Sequence, residues 1–444
     1  MIFSANSLAG VKAYFNNDPE YSYKDPYRKK IKQGQNLEKI IIDKILSAKK
    51  SIYIAVQELR LPNIAKALVK KHKDGIDVRI ILENEYNNSI LKLRTTSDDE
   101  QNDHSFAKYK SLFNFIDKNS NGVTSKAELL DRDAIYILNK GKVSIKDDTF
   151  DDSFGSGIMH HKFIVIDDSE VIASTANFTL SGVHGDYDKV QSIGNANSLL
   201  AIESKKMARL FMEEFMIMWG SDQKKSLFGM NKPYRKAKRV VVGDTIFKVQ
   251  FSPVSSMTSW KDSVNGLIGK EIAKSNHSIN MALFVFSDQM IANQLKLKQK
   301  QKSSFDIKLL VEPKFAYRNY SELLDLWGLE LFDENCRIEP LNRPWHSSPI
   351  DIGGVPSLNY GDVLHHKFAV VDNQSVIVGS QNWSYSANYS NDEFLIVIEN
   401  SNIADQFNRE FDRLLKDSRI GPPAHLIQKI ESMDTACRKN KTEL

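Results

Sequence analysis

The chain repeats itself, and this duplication limits the folds it can adopt. A predicted strand at 11–17 (VKAYFNN) is matched by one at 247–253 (FKVQFSP). An amphipathic helix follows in each half, and then two strands separated by a second helix, at 51–59 and 77–83 in the first half and at 278–286 and 306–312 in the second. Strands that alternate with helices predict an α/β fold containing parallel strands. We therefore expect two related α/β lobes.

A short motif is repeated within this larger repeat. The first copy reads HHKFIVID from His160 to Asp167, and the second reads HHKFAVVD from His365 to Asp372. An asparagine follows the first histidine by 17 residues in both copies. Side chains alternate along a strand, so the first histidine and the lysine of each copy face the same side. The intervening histidines, His161 and His366, face the other side, and we expect them to pack in the core.

Two histidines, two lysines and two asparagines brought together would form a phosphate site. Lysine and asparagine side chains would bind the non-bridging oxygens and stabilise the charge of a pentacovalent transition state. One histidine would attack phosphorus and the other would protonate the leaving oxygen. This chemistry requires no metal. One His-x-Lys sequence near an aspartate usually has no function, but two copies with equal spacing predict a phosphodiesterase with a single composite site.

The paired motif resembles that of the phospholipase D superfamily, His-x-Lys-(x4)-Asp followed by Gly-Ser-x-Asn. The resemblance covers nearly all of 11–418. It implies two lobes related by a pseudo-twofold axis, each a mixed, mainly parallel sheet flanked by helices, with the site at their interface. The expected boundaries are a first lobe at 1–222, a linker at 223–245, a second lobe at 246–418 and a C-terminal tail at 419–444.

The resemblance also implies roles for individual residues. His160 is expected to be the nucleophile and His365 the general acid, with a phosphohistidine intermediate. In the family a downstream carboxylate holds the histidine of its own motif. Glu393 fits this role in the second lobe, and in the first we choose Asp188 over the alternative alignment, Asn197. The predicted catalytic residues are His160, Lys162, Asn177, Asp188, His365, Lys367, Ser380, Asn382 and Glu393, with Asp167 and Asp372 mainly structural.

The first half carries 24 additional residues before its motif. The insertion, at about 105–140, contains DKNSNGVTSKAE at 117–128, which matches an EF-hand loop between two predicted helices. We expect a structural Ca²⁺ site, and the alternative is a turn rich in Asn, Ser and Gly that binds no metal. Only two ligand side chains are anionic, so the expected dissociation constant is about 10⁻⁵–10⁻³ M. The predicted ligands are Asp117, Asn119, Asn121, Val123, Ser125 and Glu128.

The substrate class remains open between nucleic acids and phospholipids. Residues 314–320 interleave basic and aromatic side chains, and we select Lys314, Tyr317 and Arg318 as candidates to bind a phosphate backbone and its bases. We therefore favour a metal-independent nuclease acting on DNA or RNA, with a phospholipase D or phosphatidyltransferase as the alternative. No run of 18 or more apolar residues predicts a membrane span. We expect a monomer.

Two cysteines, Cys336 and Cys437, are too few for a disulfide scaffold or a thiolate metal site. They could form one bridge, but we expect two free buried thiols. The first residues do not have the pattern of a secretory signal. The expected location is therefore cytoplasmic, or periplasmic or secreted if a leader has been removed.

Overall fold

The computed structural model describes residues 10–96, 103–151, 153, 155, 157–332, 335–337, 342–347 and 349–442. Two large mixed sheets, one of seven strands and one of nine, are each flanked by helices. The predicted two-lobed α/β architecture is thereby confirmed.

The first lobe begins at β1 and ends with a long helix. Its strands are β1 (Val11–Phe15), β2 (Ser22–Lys24), β3 (Ile31–Gln33), β4 (Ser51–Val56), β5 (Asp77–Leu82), β6 (Ser144–Asp147), β7 (Lys162–Ile166), β8 (Glu170–Ser174) and β9 (Ser198–Glu203). Its helices are α1 (Leu37–Ser47), α2 (Pro62–Lys73), α3 (Ile90–Thr96), α4 (Asp103–Ile116), α5 (Lys126–Arg132), α6 (Ala134–Lys140), α7 (Leu180–Val183) and α8 (Lys205–Trp219).

The second lobe repeats this plan. Its strands are β10 (Lys238–Val242), β11 (Thr245–Phe251), β12 (Ser278–Leu283), β13 (Phe286–Ser287), β14 (Asp306–Val311), β15 (Ile352–Val355), β16 (Lys367–Val371), β17 (Ser375–Gly379), β18 (Trp383–Ser384), β19 (Phe394–Glu399) and β20 (Arg419–Ile420). Its helices are α9 (Val264–Lys274), α10 (Gln289–Gln301), α11 (Pro313–Ala316), α12 (Glu322–Leu326), α13 (Tyr385–Tyr389), α14 (Ser401–Lys416) and α15 (Ala424–Thr442).

The two sheets have the same strand order. The first is β1-β9-β8-β7-β4-β5-β6, and the second contains the equivalent run β11-β19-β17-β16-β12-β14-β15 with β10 and β20 added at its edges. In both, the parallel pairs are those joined through a helix, β4–β5–β6 and β12–β14–β15. The remaining pairs are antiparallel, because the motif strands follow one another through tight turns. Each sheet is therefore mixed, but less parallel than the sequence indicated.

This topology places the motifs at one edge of each sheet. The motif strand runs antiparallel to the central strand, so Lys162 pairs with Val56 and Lys367 with Leu283 at the carboxyl ends of β4 and β12. Ligand sites in α/β sheets usually lie outside these carboxyl ends. The loops that follow the parallel strands of both lobes therefore surround the motif residues.

The two lobes share one apolar core. Phe163 and Phe211 of the first lobe pack against Phe394 and Phe251 of the second, with ring centroids 5.2–6.4 Å apart. On the pseudo-symmetric side, Phe15 contacts Phe407 at 5.0 Å. The side chains on this face of both sheets are almost fully buried. Separating the lobes would expose this core, so we treat them as one folding unit.

Two segments that the sequence marked as connections are structured. Within the predicted linker, 223–245, β10 joins the second sheet, and buried Lys232 pairs with Glu214 and Asp392. The predicted tail, 419–444, contains β20 and α15, and Leu426 belongs to the second core. A disulfide joins Cys336 to Cys437, so the expectation of two free thiols was wrong. The cysteines are 101 residues apart, and only the fold brings them together.

Candidate active site

Each motif is held in place by the opposite lobe. Met159 forms a parallel bridge with Asp392, and the His160 amide donates to the Asp392 carbonyl at 3.0 Å. In the same way Leu364 bridges to Ala196, and the His365 amide donates to the Ala196 carbonyl at 3.1 Å. The chain entering one motif strand is thus tied to the chain entering the last strand of the other lobe.

This pairing between the lobes decides which side chain contacts the ring of each motif histidine. Nδ1 of His160 lies 2.7 Å from Oε2 of Glu393, and Nδ1 of His365 lies 3.0 Å from Oδ1 of Asn197. We had expected Glu393 to hold His365, its own motif's histidine, and Asp188 to hold His160. Both assignments were wrong, because the bridges bring the polar residues across the interface. Asp188 instead accepts a hydrogen bond from Asn114 at 3.2 Å.

The proton on His365 is fixed by the network around Asn197. The amide nitrogen of Asn197 donates to the carbonyls of Gly182 and Asn195, so its oxygen must face the ring. An amide oxygen can only accept, and Nδ1 of His365 therefore carries the proton. The same tautomer at His160 requires only that Oε2 of Glu393 act as the acceptor. Both arrangements leave Nε2 available to a substrate.

The two motif lysines are fully buried. Nζ of Lys162 donates to the His160 carbonyl at 2.8 Å, and Nζ of Lys367 donates to the His365 carbonyl at 2.7 Å. Burial lowers the pKa of Lys162 to about 7 and holds that of Lys367 well below its usual range. Two ammonium groups removed from water require an anionic partner, and a bound phosphate would supply it.

The four basic groups act on one another across the interface. Burial is the main cause that lowers the pKa of His160, and Lys162 and Lys367 lower it further. Burial lowers the pKa of His365 as well, again with help from both lysines. Burial also raises the pKa of Glu393 to about 8, although the lysines oppose this shift. The motifs therefore form one composite site rather than two separate ones.

The first residue after each central strand differs between the lobes. In the first lobe it is Gln57, whose Oε1 accepts from Asn177 at 3.2 Å and lies 3.4 Å from Nζ of Lys162. In the second lobe it is Phe284, whose ring lies 4.7 Å from Nζ of Lys367 and 4.8 Å from the His365 ring. Sequence reasoning did not select either residue. The alignment of 51–59 with 278–286 places them at equivalent positions, which was the available signal.

The remaining motif residues support the site. Each motif aspartate accepts three backbone N–H groups from the turn before the central strand: Asp167 from Lys49, Lys50 and Ser51, and Asp372 from Asn276, His277 and Ser278. The Ser380 hydroxyl accepts from the Phe394 amide at 3.1 Å and so orients the residues beside Glu393. The side-chain oxygens of Asn177 and Asn382 have no partner within the described protein. The amide nitrogen of Asn177 gives one hydrogen to Gln57, which leaves its second hydrogen for a substrate.

The second histidine of each motif is buried behind the site. His161 contacts Glu214 and His366 contacts Glu410, at 3.3 and 2.8 Å between nitrogen and oxygen. Buried carboxylates also fix the chain just before each motif. Asp148 accepts from the Met159 amide and Glu312 from the Leu364 amide, at 3.3 and 2.8 Å.

The three residues predicted to bind substrate differ in their exposure. Lys314 and Arg318 are exposed. Tyr317 packs against Trp327 and His425, which does not favour the stacking role predicted for it. Its neighbour Phe315 instead contacts Phe284, with centroids 4.9 Å apart, and Phe284 contacts His365. Phe284 and Phe315 thus form a row of aromatic rings from His365 towards the basic residues of 314–320. The sequence did not reveal this row.

The predicted metal ligands lie in the loop between α4 and α5, except Glu128, which lies in the first turn of α5. Among the described residues, no three His, Cys, Asp or Glu side chains gather as they would in a metal site. The ligand set predicted at 117–128 is instead mostly amide, hydroxyl and carbonyl oxygen, with Asp117 and Glu128 as its carboxylates. The 117–128 segment lies outside the composite site, and Ca²⁺ binding there remains a prediction.

The chain matches the domain family described as "Cardiolipin synthase, PLD-like domain" at 41–219 and 268–415, which is most of its length. It is 41% identical to a mitochondrial cardiolipin hydrolase from Xenopus laevis over 54 residues, 12% of this chain and 26% of that protein. It is 26% identical to a phospholipase D from Rickettsia prowazekii (strain Madrid E) over 177 residues, 40% of this chain and 60% of that protein. The matched segments thus span about a quarter and three-fifths of these relatives.

A solved structure with the same fold covers almost the whole chain. The phosphatidylserine synthase of Haemophilus influenzae Rd KW20 aligns with 97% of this chain and 95% of its own, with a TM-score of 0.55 and 11% identity. This similarity establishes the arrangement of the two lobes. None of the helices in the described part of the chain is long and apolar enough to cross a bilayer.

A tetrahedral anion should bind this site together with protons. Tungstate keeps its charge between pH 6 and 9, whereas Lys162 has a pKa of about 7 without a ligand. A bound anion favours the charged lysine and raises that pKa, so protons are taken up on binding above about pH 6. Affinity therefore falls as pH rises through 7, by up to about tenfold per pH unit for each proton. Calorimetry in buffers of different ionisation enthalpy measures both effects. Proton release, or an affinity that does not change with pH, would contradict it.

Proposed function

The chain belongs to the phospholipase D superfamily, a family of phosphodiesterases, and from this premise we propose that it is a nuclease working through a phosphohistidine on His160. The observation that carries the proposal is the composite site itself. Two buried lysines and two histidines with Nε2 available surround one position from opposite lobes. This arrangement suits a tetrahedral anion that must be attacked from one side and protonated on the other.

In the first step Nε2 of His160 attacks phosphorus. The bound phosphate anion favours the doubly protonated ring of His365. A nitrogen–phosphorus bond forms as the bond to the leaving oxygen breaks, and this ring transfers its Nε2 proton to that oxygen. The ammonium groups of Lys162 and Lys367 and the amides of Asn177 and Asn382 bind the non-bridging oxygens as charge develops on them. The step releases an alcohol and leaves the phosphoryl group on His160.

In the second step His365, now neutral, removes a proton from water. The water oxygen bonds to phosphorus as the nitrogen–phosphorus bond breaks, and the electron pair returns to Nε2 of His160. The enzyme is restored with the proton back on His365. The two histidines thus exchange acid and base roles between the steps.

The different partners of the histidines support this assignment of roles. His160 becomes cationic when its Nε2 bonds to phosphorus, and this charge lowers the pKa of the adjacent Glu393 from about 8, so that its carboxylate forms and stabilises the cation. His365 has only the neutral Asn197 and the Phe284 ring beside it, which do not stabilise a cation in the same way. It therefore gives up its proton more readily. The nucleophile is the histidine with the anionic partner, and the acid is the one without.

A nucleic-acid substrate is supported by the path that leaves the site past His365. Phe284 and Phe315 provide aromatic surface, and the exposed Lys314 and Arg318 lie next to Phe315 in the chain. Bases stack on such rings while basic side chains bind successive phosphates. A pocket that begins at Glu58, next to Gln57 in the chain, carries both signs of charge: Arg60, Lys108 and Lys189 against Glu58, Asp186 and Asp188.

A phospholipid substrate is the second candidate, because two of the relatives compared are named for phospholipids and the matching family is described as cardiolipin synthase-like. The composite site would accept a lipid phosphodiester by the same chemistry. The basic and aromatic residues beyond His365 offer contacts for successive phosphates and bases, and we therefore rank nucleic acid first.

Replacing the general acid should trap the intermediate. A substrate with a nitrophenolate leaving group needs no proton, so His365→Ala should still form the phosphohistidine but lack the base that hydrolyses it. We expect turnover to fall by about 10²–10⁴-fold while labelled phosphoryl accumulates on His160. His160→Ala should carry no label. Acid-labile radioactivity and peptide mapping after a rapid quench measure the result. Label in His160→Ala but not in His365→Ala would reverse the roles, and label in neither would exclude the covalent route.

Salt dependence should distinguish the two substrate classes. With the inactive His160→Ala protein, affinity for a single-stranded oligonucleotide should fall steeply as salt increases, because several phosphates release counterions. Lys314→Ala and Arg318→Ala should each reduce the log–log slope by roughly one unit. The matched changes Lys205→Ala and Lys206→Ala, exposed at the start of α8 and separated from Asn197 by the length of β9, should leave it unchanged.

Phe315→Ala should weaken binding of single strands more than of duplexes, since only unpaired bases offer a free face. Fluorescence anisotropy measures each of these affinities. Binding to phospholipid vesicles with no oligonucleotide binding at low salt would replace the nuclease by the lipid enzyme.

A further inference from the structure

We propose that the 117–128 loop binds Ca²⁺ and that the ion thereby positions one wall of the substrate pocket, so that calcium controls substrate affinity rather than the chemical step. The proposal that this loop binds Ca²⁺ is independent of the nuclease assignment. The effect on affinity rests on the composite site being the place where a phosphodiester is bound.

The loop supplies oxygen ligands in the required order. Asp117, Asn119, Asn121, Ser125 and Glu128 occupy positions 1, 3, 5, 9 and 12, and the Val123 carbonyl occupies position 7. Gly122, at position 6, has a φ of +81°, a left-handed conformation that favours glycine at this turn. Calcium accepts such a mixture of carboxylate, amide and carbonyl oxygens, whereas Mg²⁺ demands a stricter octahedral site.

The loop is already folded around its two carboxylates. Asp117 accepts from the amides of Asn121 and Gly122 at 3.1 and 2.8 Å, while Glu128 accepts from those of Lys118 and Ser125, both at 2.9 Å. Both residues are buried, and neither pairs with a cationic side chain within the described protein. Two buried carboxylates in one short loop, without a countercharge, point to a cation as the missing partner.

The helix before the loop, α4, lines a pocket in the first lobe. The cavity, of about 430 Å³, is lined on one side by Lys108, Leu112 and Phe115 of α4. On the other side it is lined by 179–181 and 186–189, which follow Asn177 in the chain, and by Glu58, which follows Gln57. The insertion is thus part of the wall of a pocket whose other walls continue in the chain from Gln57 and Asn177.

Arg132 connects the loop to that wall. It lies one turn beyond Glu128 on α5, and its guanidinium donates to the Phe115 carbonyl at 2.7 Å and to the Tyr187 hydroxyl at 3.3 Å. It also lies over both rings, 5.0 and 5.7 Å from their centroids. Bringing Glu128 and Asp117 to one ion fixes α5 against the end of α4. Arg132 then holds Phe115 and Tyr187, and with them the pocket, in one arrangement.

The first experiment measures binding without activity. Full-length protein stripped with chelator is titrated with CaCl₂, and separately with MgCl₂, while its melting temperature and heat of binding are followed. We expect Ca²⁺ to raise the melting temperature, half-maximally at about 10⁻⁵–10⁻³ M, because it binds only the folded loop. Glu128→Gln and Asp117→Asn should each abolish the increment. Glu213→Gln, the same charge change at an exposed site on α8, should retain it. An unchanged melting temperature and no binding heat in millimolar Ca²⁺ would overturn the site.

The second experiment measures the coupling. With any phosphodiester that the protein turns over, we expect Ca²⁺ to lower KM about fivefold or more and to leave kcat unchanged. Arg132→Met should keep the thermal response to Ca²⁺ and lose the response of KM. A rise in melting temperature with no change of KM in the unmodified protein would overturn the coupling while leaving the metal site. Absence of turnover on every phosphodiester, with the thermal response intact, would instead contradict the proposed function.

Discussion

The site depends on one constraint, the exchange of short strands between the lobes. Met159 bridges to Asp392 and Leu364 to Ala196, and these contacts bring Glu393 to His160 and Asn197 to His365. Neither lobe contains a complete set of groups by itself. The shared core, in which Phe211 contacts both Phe251 and Phe394, keeps the bridges in register. Packing between the lobes is thus a condition of the chemistry as well as of stability.

The duplication is nearly symmetric in its backbone and asymmetric in its polar partners. The strand order repeats from β1 to β6 and from β11 to β15, and both motif lysines bond the carbonyl two residues before them. The differences lie in a few side chains. Glu393 contacts one histidine and Asn197 the other, and the first lobe has Gln57 where the second has Phe284. An attacking group and a proton donor need different surroundings, and these substitutions supply them without altering the fold.

Much of this could be predicted from the sequence, and the exceptions share a cause. The repeated strands, the motif pair and the helices around 117–128 were recognisable because each is a local pattern. The partners of the histidines were not, since spacing along the chain suggested Asp188 and assigned Glu393 to its own motif. The spacing of residues along the chain does not reveal contacts across an interface. The same applies to the Cys336–Cys437 disulfide, to Lys232 beneath Glu214 and to the inward packing of Tyr317.

The central claim is that each catalytic histidine is held by the opposite lobe, and ring nitrogen NMR tests it most directly. With ¹⁵N-labelled histidine, Glu393→Gln should shift the ring signals of His160 and leave those of His365 unchanged. Asn197→Ala should do the reverse, and Glu399→Gln, at the far end of the strand β19 that begins directly after Glu393, should affect neither. A shift of His365 in the Glu393→Gln protein, with His160 unaffected, would show that each lobe holds its own histidine and would contradict the account.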